Sequence, residues 1–171
     1  MNIKLVSIEE IENVMEIIED ARALLKETSH QWQNNYPNRS TLINDISNQY
    51  LFGAYINNEL AGIMALVPGF NVDYDIIEGE WITPPSDKDL VIHRIAVKSR
   101  YRGNKVGDTL MKYAEVYAKE KGYLSLKADT HRLNIPMTKL CINNGYHMSG
   151  IIYIKRIEPD PSRLLFEKNV E

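Results

Sequence analysis

The sequence predicts a mixed α/β sandwich, with a mostly antiparallel central sheet flanked by helices, and three observations predict it. Segments with a helical apolar period lie between apolar, β-branched runs along the chain. Two such runs, "YLFGAYI" and "LAGIMALV", flank Asn57-Asn58, a tight-turn signal, and a hairpin excludes a purely parallel sheet. The 171 residues hold no linker, repeat or low-complexity segment, so one domain over 1–171 is expected, burying roughly 70% of its unfolded surface.

The elements follow in order. "IKLVS" is a short first strand. Ser7 and Glu10 form a capping box that opens an amphipathic helix of about twenty residues, with Ile8, Ile11, Met15, Ile18, Ala21 and Leu25 near one face. "SHQWQNNYPNRS" is a loop carrying two aromatics, and Ser40 caps a short helix through "TLINDIS". The hairpin comes next, and then an irregular stretch from Pro68 to Asp89. "LVIHRIAV" is a strand, "GDTLMKYAEVYAKEKG" a helix closed by Gly122, and "YLSLKAD" a strand. "IPMTKLCIN" is a helix ended by Asn144-Gly145, and "YHMSGIIYI" and "RLLFEKN" are the last strands.

Bulk properties exclude several function classes. A net charge of −3 gives no global field for nucleic acid or an anionic membrane. The longest apolar run, "AGIMALV", is far short of the ~20 residues of a membrane span. "MNIKLVSIEE" lacks the apolar stretch of a signal peptide, so a cytoplasmic protein is expected. One cysteine, Cys141, excludes an intramolecular disulfide and a cysteine-based zinc site.

The chemistry concentrates in "IHRIAVKSRYRGNKVGDTLM", a strand, a basic glycine-containing turn and a helix. Such a turn lets backbone N–H groups approach an anion, and the helix N-terminus adds partial positive charge. Lys98, Arg100, Arg102 and Lys105 cluster there. An anion site and a plain strand-to-helix connection with solvated basic residues both fit. A P-loop does not, because the glycine–lysine–hydroxyl order is absent.

"IAVKSRYRGNKVGDTLM" resembles the acyl-CoA signature Q/R-x-x-G-x-G/A of the GNAT superfamily of N-acetyltransferases, matched from Arg102 to Gly107. "NIPMTKLCINNGYHMSGIIY" is similar to the last helix and strand of the same family. The resemblance implies central strands that splay apart around acetyl-CoA as co-substrate, with no metal. It implies that the backbone of Ile95, Ala96 and Val97 pairs with the pantetheine arm. The N–H groups of Arg102, Gly103, Asn104, Lys105, Val106, Gly107 and Asp108 would hold the pyrophosphate, and Asn134 would bond the pantetheine. Lys105 departs from the signature, since it stands at the first glycine position. Were it helical, its side chain would point outward. Were positive φ required, it would carry strain of roughly 1–2 kcal/mol.

Acetyl transfer to an amine needs a base, oxyanion donors and a proton for the departing thiolate. His93 is the candidate base, with an ordinary pKa of about 6.5. Strand alternation places it with Val91, Ile95 and Val97; a hydrogen-bonded core histidine is the alternative. Cys141 stands where the family commonly has an acidic tyrosine, and is either the acid or an inert core thiol. His131 fits a loop-stabilising hydrogen bond, and Tyr146 fits the core. Trp32, Tyr36, Tyr74 and Trp81, with the carboxylates between Asp73 and Asp89, suit a cationic amine or else form a solvated loop whose aromatics plug the core. The expected reaction is direct acetyl transfer to a primary amine, a small molecule. The alternatives are a protein N-terminus or lysine as acceptor, or a CoA-binding sensor without turnover. "QWQNNYP", "IHRIAV", "DTHRLN" and "RLLFEK" also resemble a bacterial group of unassigned acceptor. Apolar surface on the last strands would suit a homodimer.

Overall fold

Among the described residues, eight strands and four α-helices follow one another. They are β1 (Asn2–Leu5), α1 (Ile11–Lys26), α2 (Arg39–Ser47), β2 (Leu51–Ile56), β3 (Glu59–Pro68), β4 (Glu78–Gly79) and β5 (Asp89–Val97). Then come α3 (Val106–Lys121), β6 (Ser125–Thr130), α4 (Ile135–Asn143), β7 (His147–Tyr153) and β8 (Ser162–Asn169). The computed structural model describes residues 1–154, 156 and 160–170. The strands run in the order β1-β2-β3-β5-β6-β8-β7-β4. The β5–β6 pair is parallel, and the β1–β2, β2–β3, β4–β7, β6–β8 and β7–β8 pairs are antiparallel. The chain forms two compact units, Met1–Leu66 with His93–Tyr113 and Val67–Ile92 with Ala114–Glu171.

In the first unit the hairpin closes as the sequence predicts, with Asn57 at φ 50° and Asn58 at φ 65°. The Ser7 N–H donates to the Glu10 carboxylate (3.1 Å), and a 3-10 turn leads into α1. The buried stripe of α1 is Val14, Ile17, Ile18, Ala21 and Leu25, so it lies to one side of the expected face; Ile8 is 45% exposed. Helix α2 starts earlier than Ser40, because Asn38 is the cap. Its Oδ1 accepts the Thr41 N–H (3.0 Å) and the Ser40 hydroxyl (2.7 Å). Gly62 of β3 lets the start of α3 come close, since a Cβ there would lie 2.7 Å from Val106 Cγ1 and 3.0 Å from Ala96 O.

In the second unit α3 ends in a Schellman motif. Gly122 (φ 75°) donates to Lys119 O and Tyr123 to Ala118 O. Helix α4 starts at Asn134, whose Oδ1 accepts the Met137 N–H (3.3 Å), and stops at Gly145 (φ 79°). The irregular stretch after β3 is strapped down by buried charges. Glu167 accepts the Ile82 N–H (2.7 Å), the Thr83 N–H (2.9 Å) and the Ser149 hydroxyl (2.6 Å). Lys127, fully buried, pairs with Asp89 (2.8 Å), donates to Thr83 O (3.0 Å) and lies over the Trp81 ring.

Candidate active site

The turn after β5 resolves the two conformations left open for Lys105 and limits which N–H groups are available to an anion. Lys105 is not helical. It precedes α3 with φ 58°, in the left-handed region a glycine would occupy without strain. Two of the N–H groups assigned to pyrophosphate are already engaged, Arg102 donating to Ser99 O and Asn104 to Tyr101 O, both at 3.2 Å. Helix α3 starts at Val106, and the first-turn N–H groups of any helix have no acceptor within the helix itself. Gly103 (φ 87°) leaves open space where a side chain would stand.

The basic cluster is largely neutralised from within its own unit. Lys98 pairs with Glu16 (2.9 Å) and Glu59 (3.5 Å), Arg100 pairs with Glu59, and Arg102 donates to Asp20 O (3.1 Å). The Asp20 carboxylate accepts the Ser99 N–H (2.9 Å), which holds its pKa below the usual range. These contacts fix the turn on α1 and β3. Lys105 makes no ion pair among the described residues and is exposed. Lys105, and Arg102, which bonds a carbonyl oxygen rather than a carboxylate, are therefore the cations that an anion at this turn would meet.

Strand β5 changes character midway. Its register with β6 ends at Ile92↔Ala128. Two residues on, Arg94 is left-handed (φ 49°), so the alternation that put His93 with Ile95 and Val97 breaks there. His93 and Ile95 are half-buried and Ala96 is 6% exposed. Arg94 sends its side chain to Asp45 and Tyr36. Tyr36 stands out in solvent at 45% exposure, while Trp32, left-handed at φ 63°, is half-buried.

In the second unit, Tyr74 belongs to the core. It is 1% exposed, packs with Val91, Ile152, Ile154 and Leu165, and donates its hydroxyl to Asp129 Oδ2 (2.6 Å). Trp81 packs against the same cluster. Tyr74 thus plugs the core and offers no acceptor surface, while Trp81 is half-buried against it. Burial, 0% exposed, pushes the Cys141 thiol up to about 12. Protonating an ordinary thiolate, pKa about 8.5, from it would be uphill by roughly 5 kcal/mol. Cys141 is placed as a core residue. His131 is also buried. Its Nε2 lies 2.8 Å from Asp160, and its Nδ1 accepts the Leu133 N–H (3.1 Å), which makes it a loop fastener.

Asp129 was missed by the sequence reading. It is the first residue of β6 past the last rung shared with β5, and it is half-buried. Burial raises its pKa, against the opposing effects of the Tyr74 hydroxyl and of Arg163 and Arg156; Asp73 adds to the rise. A carboxylate so poised can bind an ammonium ion or take its proton. Among the described residues no His, Cys, Asp or Glu group is arranged to hold a metal, and no helix is long and apolar enough to cross a membrane.

Comparison with known proteins gives the family. Residues 11–146 match the acetyltransferase (GNAT) family model. A GNAT-family acetyltransferase from Streptococcus agalactiae is 30% identical over 99% of this chain and 95% of its own, with a TM-score of 0.83. The PaiA N-acetyltransferase from Thermoplasma acidophilum, solved with coenzyme A, is 22% identical over 98% of both chains, TM-score 0.70. A ribosomal-protein-alanine N-acetyltransferase from Brucella melitensis is 14% identical over 99% of both, TM-score 0.73. At those lower identities the likeness shows the fold. No curated protein gives a significant match. With the family model spanning most of the chain and a 30% identical relative covering it end to end, the chain belongs to the GNAT family of acetyl-CoA-dependent N-acetyltransferases.

Proposed function

We propose that the protein transfers the acetyl group of acetyl-CoA to a primary amine of a small molecule, the amine attacking directly in a ternary complex. Acetyl-CoA supplies an activated thioester, so orientation and proton removal are the tasks left to the chain. The cradle of Gly103 to Asp108 is suited to the cofactor's phosphates, the backbone of Ile95, Ala96 and Val97 to its pantetheine arm, and Asn134 to a further bond to that arm. The observation that carries the acceptor reading is Asp129, with one oxygen fixed by Tyr74 and its pKa raised by burial. It receives the ammonium and takes its proton. His93 is the competing base. The strapping of Trp81 to Thr83 onto β6 and β8 supports a small acceptor, since it leaves that stretch little freedom to open. A homodimer remains part of the proposal through the exposed Met148 and Tyr153 of β7.

Thiol release from acetyl-CoA, with tryptamine, putrescine and a short peptide as acceptors, tests the reading. A small amine is expected to drive release. Asp129→Asn is expected to lower kcat/KM about 100-fold near neutral pH, with recovery at high pH where the amine deprotonates itself. If His93→Ala produces that profile and Asp129→Asn does not, the base is His93. Release driven by the peptide alone would move the acceptor to a protein N-terminus, and acetyl-CoA binding without release would make the protein a sensor.

A further inference from the structure

The segment between α1 and α2 is held in an unusual way. His30 (φ 57°), Trp32 (φ 63°) and Asn35 (φ 53°) are all left-handed without being glycine. Residues in such conformations persist only where their surroundings over-determine them, and they gather at ligand clamps. Here Arg22 of α1 supplies part of the restraint, donating from Nε to Trp32 O (2.8 Å) and from Nη2 to Pro37 O (2.9 Å). Gln33 adds bonds to Arg22 O (3.0 Å) and Gln31 O (2.9 Å).

Arg94 holds the far end of the segment at Tyr36. Its side chain is 9% exposed and forks onto Asp45 of α2, whose side chain is 3% exposed; Nε meets Oδ2 at 2.5 Å and Nη2 meets Oδ1 at 2.8 Å. The remaining nitrogen, Nη1, donates to the Tyr36 hydroxyl (2.9 Å). A bidentate guanidinium pair is directional, and lysine cannot reproduce it. Buried ion pairs are poor stabilisers, because desolvation offsets most of their attraction; what they supply is orientation. The group so oriented is an aromatic ring held out in solvent at 45% exposure, which does little for the core.

We propose that Arg94 is a positioning residue for the acceptor. Anchored on Asp45, it holds Tyr36 by its hydroxyl so that the ring forms a preset wall for the carbon skeleton of the incoming amine. The inference rests on the acetyltransferase reading above. It adds a specificity element to the residues that bind the cofactor and take the proton.

The test uses the full chain with Tyr36→Phe, Tyr36→Ala, Arg94→Lys and the double variant Tyr36→Phe/Arg94→Lys. Steady-state KM and kcat are measured with tryptamine, 2-phenylethylamine and putrescine, and the acetyl-CoA Kd by calorimetry. Tyr36→Phe removes one hydroxyl and is expected to raise the amine KM about five- to tenfold, with kcat within about twofold. Arg94→Lys is expected to do at least as much. The double variant should be no worse than Arg94→Lys alone, since both changes remove the same bond. The acetyl-CoA Kd should hold within about twofold. A merely structural role would lower the unfolding midpoint and leave KM alone. Unchanged KM in both Tyr36 variants overturns the proposal even if Arg94→Lys fails to fold. So does wild-type protein that binds acetyl-CoA yet turns over none of the amines. Wild-type protein that does not bind acetyl-CoA removes the acetyltransferase reading and this inference with it.

Discussion

A carboxylate whose ionisation is opposed by burial works against its own fold, and Asp129 is such a group. Its folded pKa is raised by burial, while in the unfolded chain it returns to about 3.9. The unfolded chain therefore releases this proton more readily. The stability linked to Asp129 is fully present below about pH 4 and is lost as pH rises through the raised folded value. Asp129→Asn keeps an acceptor oxygen for Tyr74 and cannot ionise. It is expected to raise the unfolding midpoint at pH 7–8 and to give no gain near pH 4. Midpoints of both proteins across that range check it, and a difference that does not vary with pH would remove the charge argument. Asp129 was hard to find in the sequence because "KADTH" offers only a charged residue near a strand end. Its importance comes from Tyr74, 55 residues away, which no local pattern announces. Arg94 and Tyr36, 58 residues apart, have the same difficulty. Tyr146 was more legible, since a strand start suggests burial by itself, whereas Cys141 stood between core and acid because it occupies the family's tyrosine position.

Elements with chemical punctuation were read well. Asn134 and Asn144-Gly145 fixed α4, Asn57-Asn58 fixed the hairpin, and Gly122 fixed the end of α3, because each supplies a cap or tolerates positive φ. The α2 cap was misplaced where Asn38 and Ser40 compete, and asparagine is at least as good a cap as serine. The break in β5 had no sequence signal, because arginine does not advertise a left-handed residue and a buried partner enforces it. Lys105 lies between these cases. The family pattern raised the question of positive φ there, and the structure answers that φ is 58°. A left-handed lysine costs roughly 1–2 kcal/mol, and a glycine gives back about 0.5–1 kcal/mol through unfolded-chain entropy. Lys105→Gly is thus expected to stabilise the protein by about 0.5–1 kcal/mol, a rise of roughly 1–4 °C for a chain this size. A fall in the midpoint instead would mean that the lysine side chain contributes more to the folded state than its backbone costs.

On the scale of the whole molecule, the basic turn sits in a chain of net charge −3, and its Lys98, Arg100 and Arg102 are engaged by Glu16, Glu59 and Asp20. General attraction for polyanions is therefore weak, and on the proposed reading a phosphorylated cofactor is recognised by the turn's N–H groups and by contacts to the pantetheine arm. That distinction can be measured on the intact protein. A ligand that binds only the folded state, present at a hundred times its Kd, adds about 2.7 kcal/mol of stability. For a domain this size the unfolding midpoint then rises by roughly 5–10 °C. Acetyl-CoA is expected to give that rise and dephospho-CoA most of it, because the pantetheine arm and pyrophosphate are retained. ATP, which has phosphates but no arm, is expected to give little. An equal rise with ATP would mean that the turn is a general phosphate site. No rise with millimolar acetyl-CoA would mean that the left-handed Lys105 and the two engaged N–H groups have closed the cradle to the cofactor its family uses.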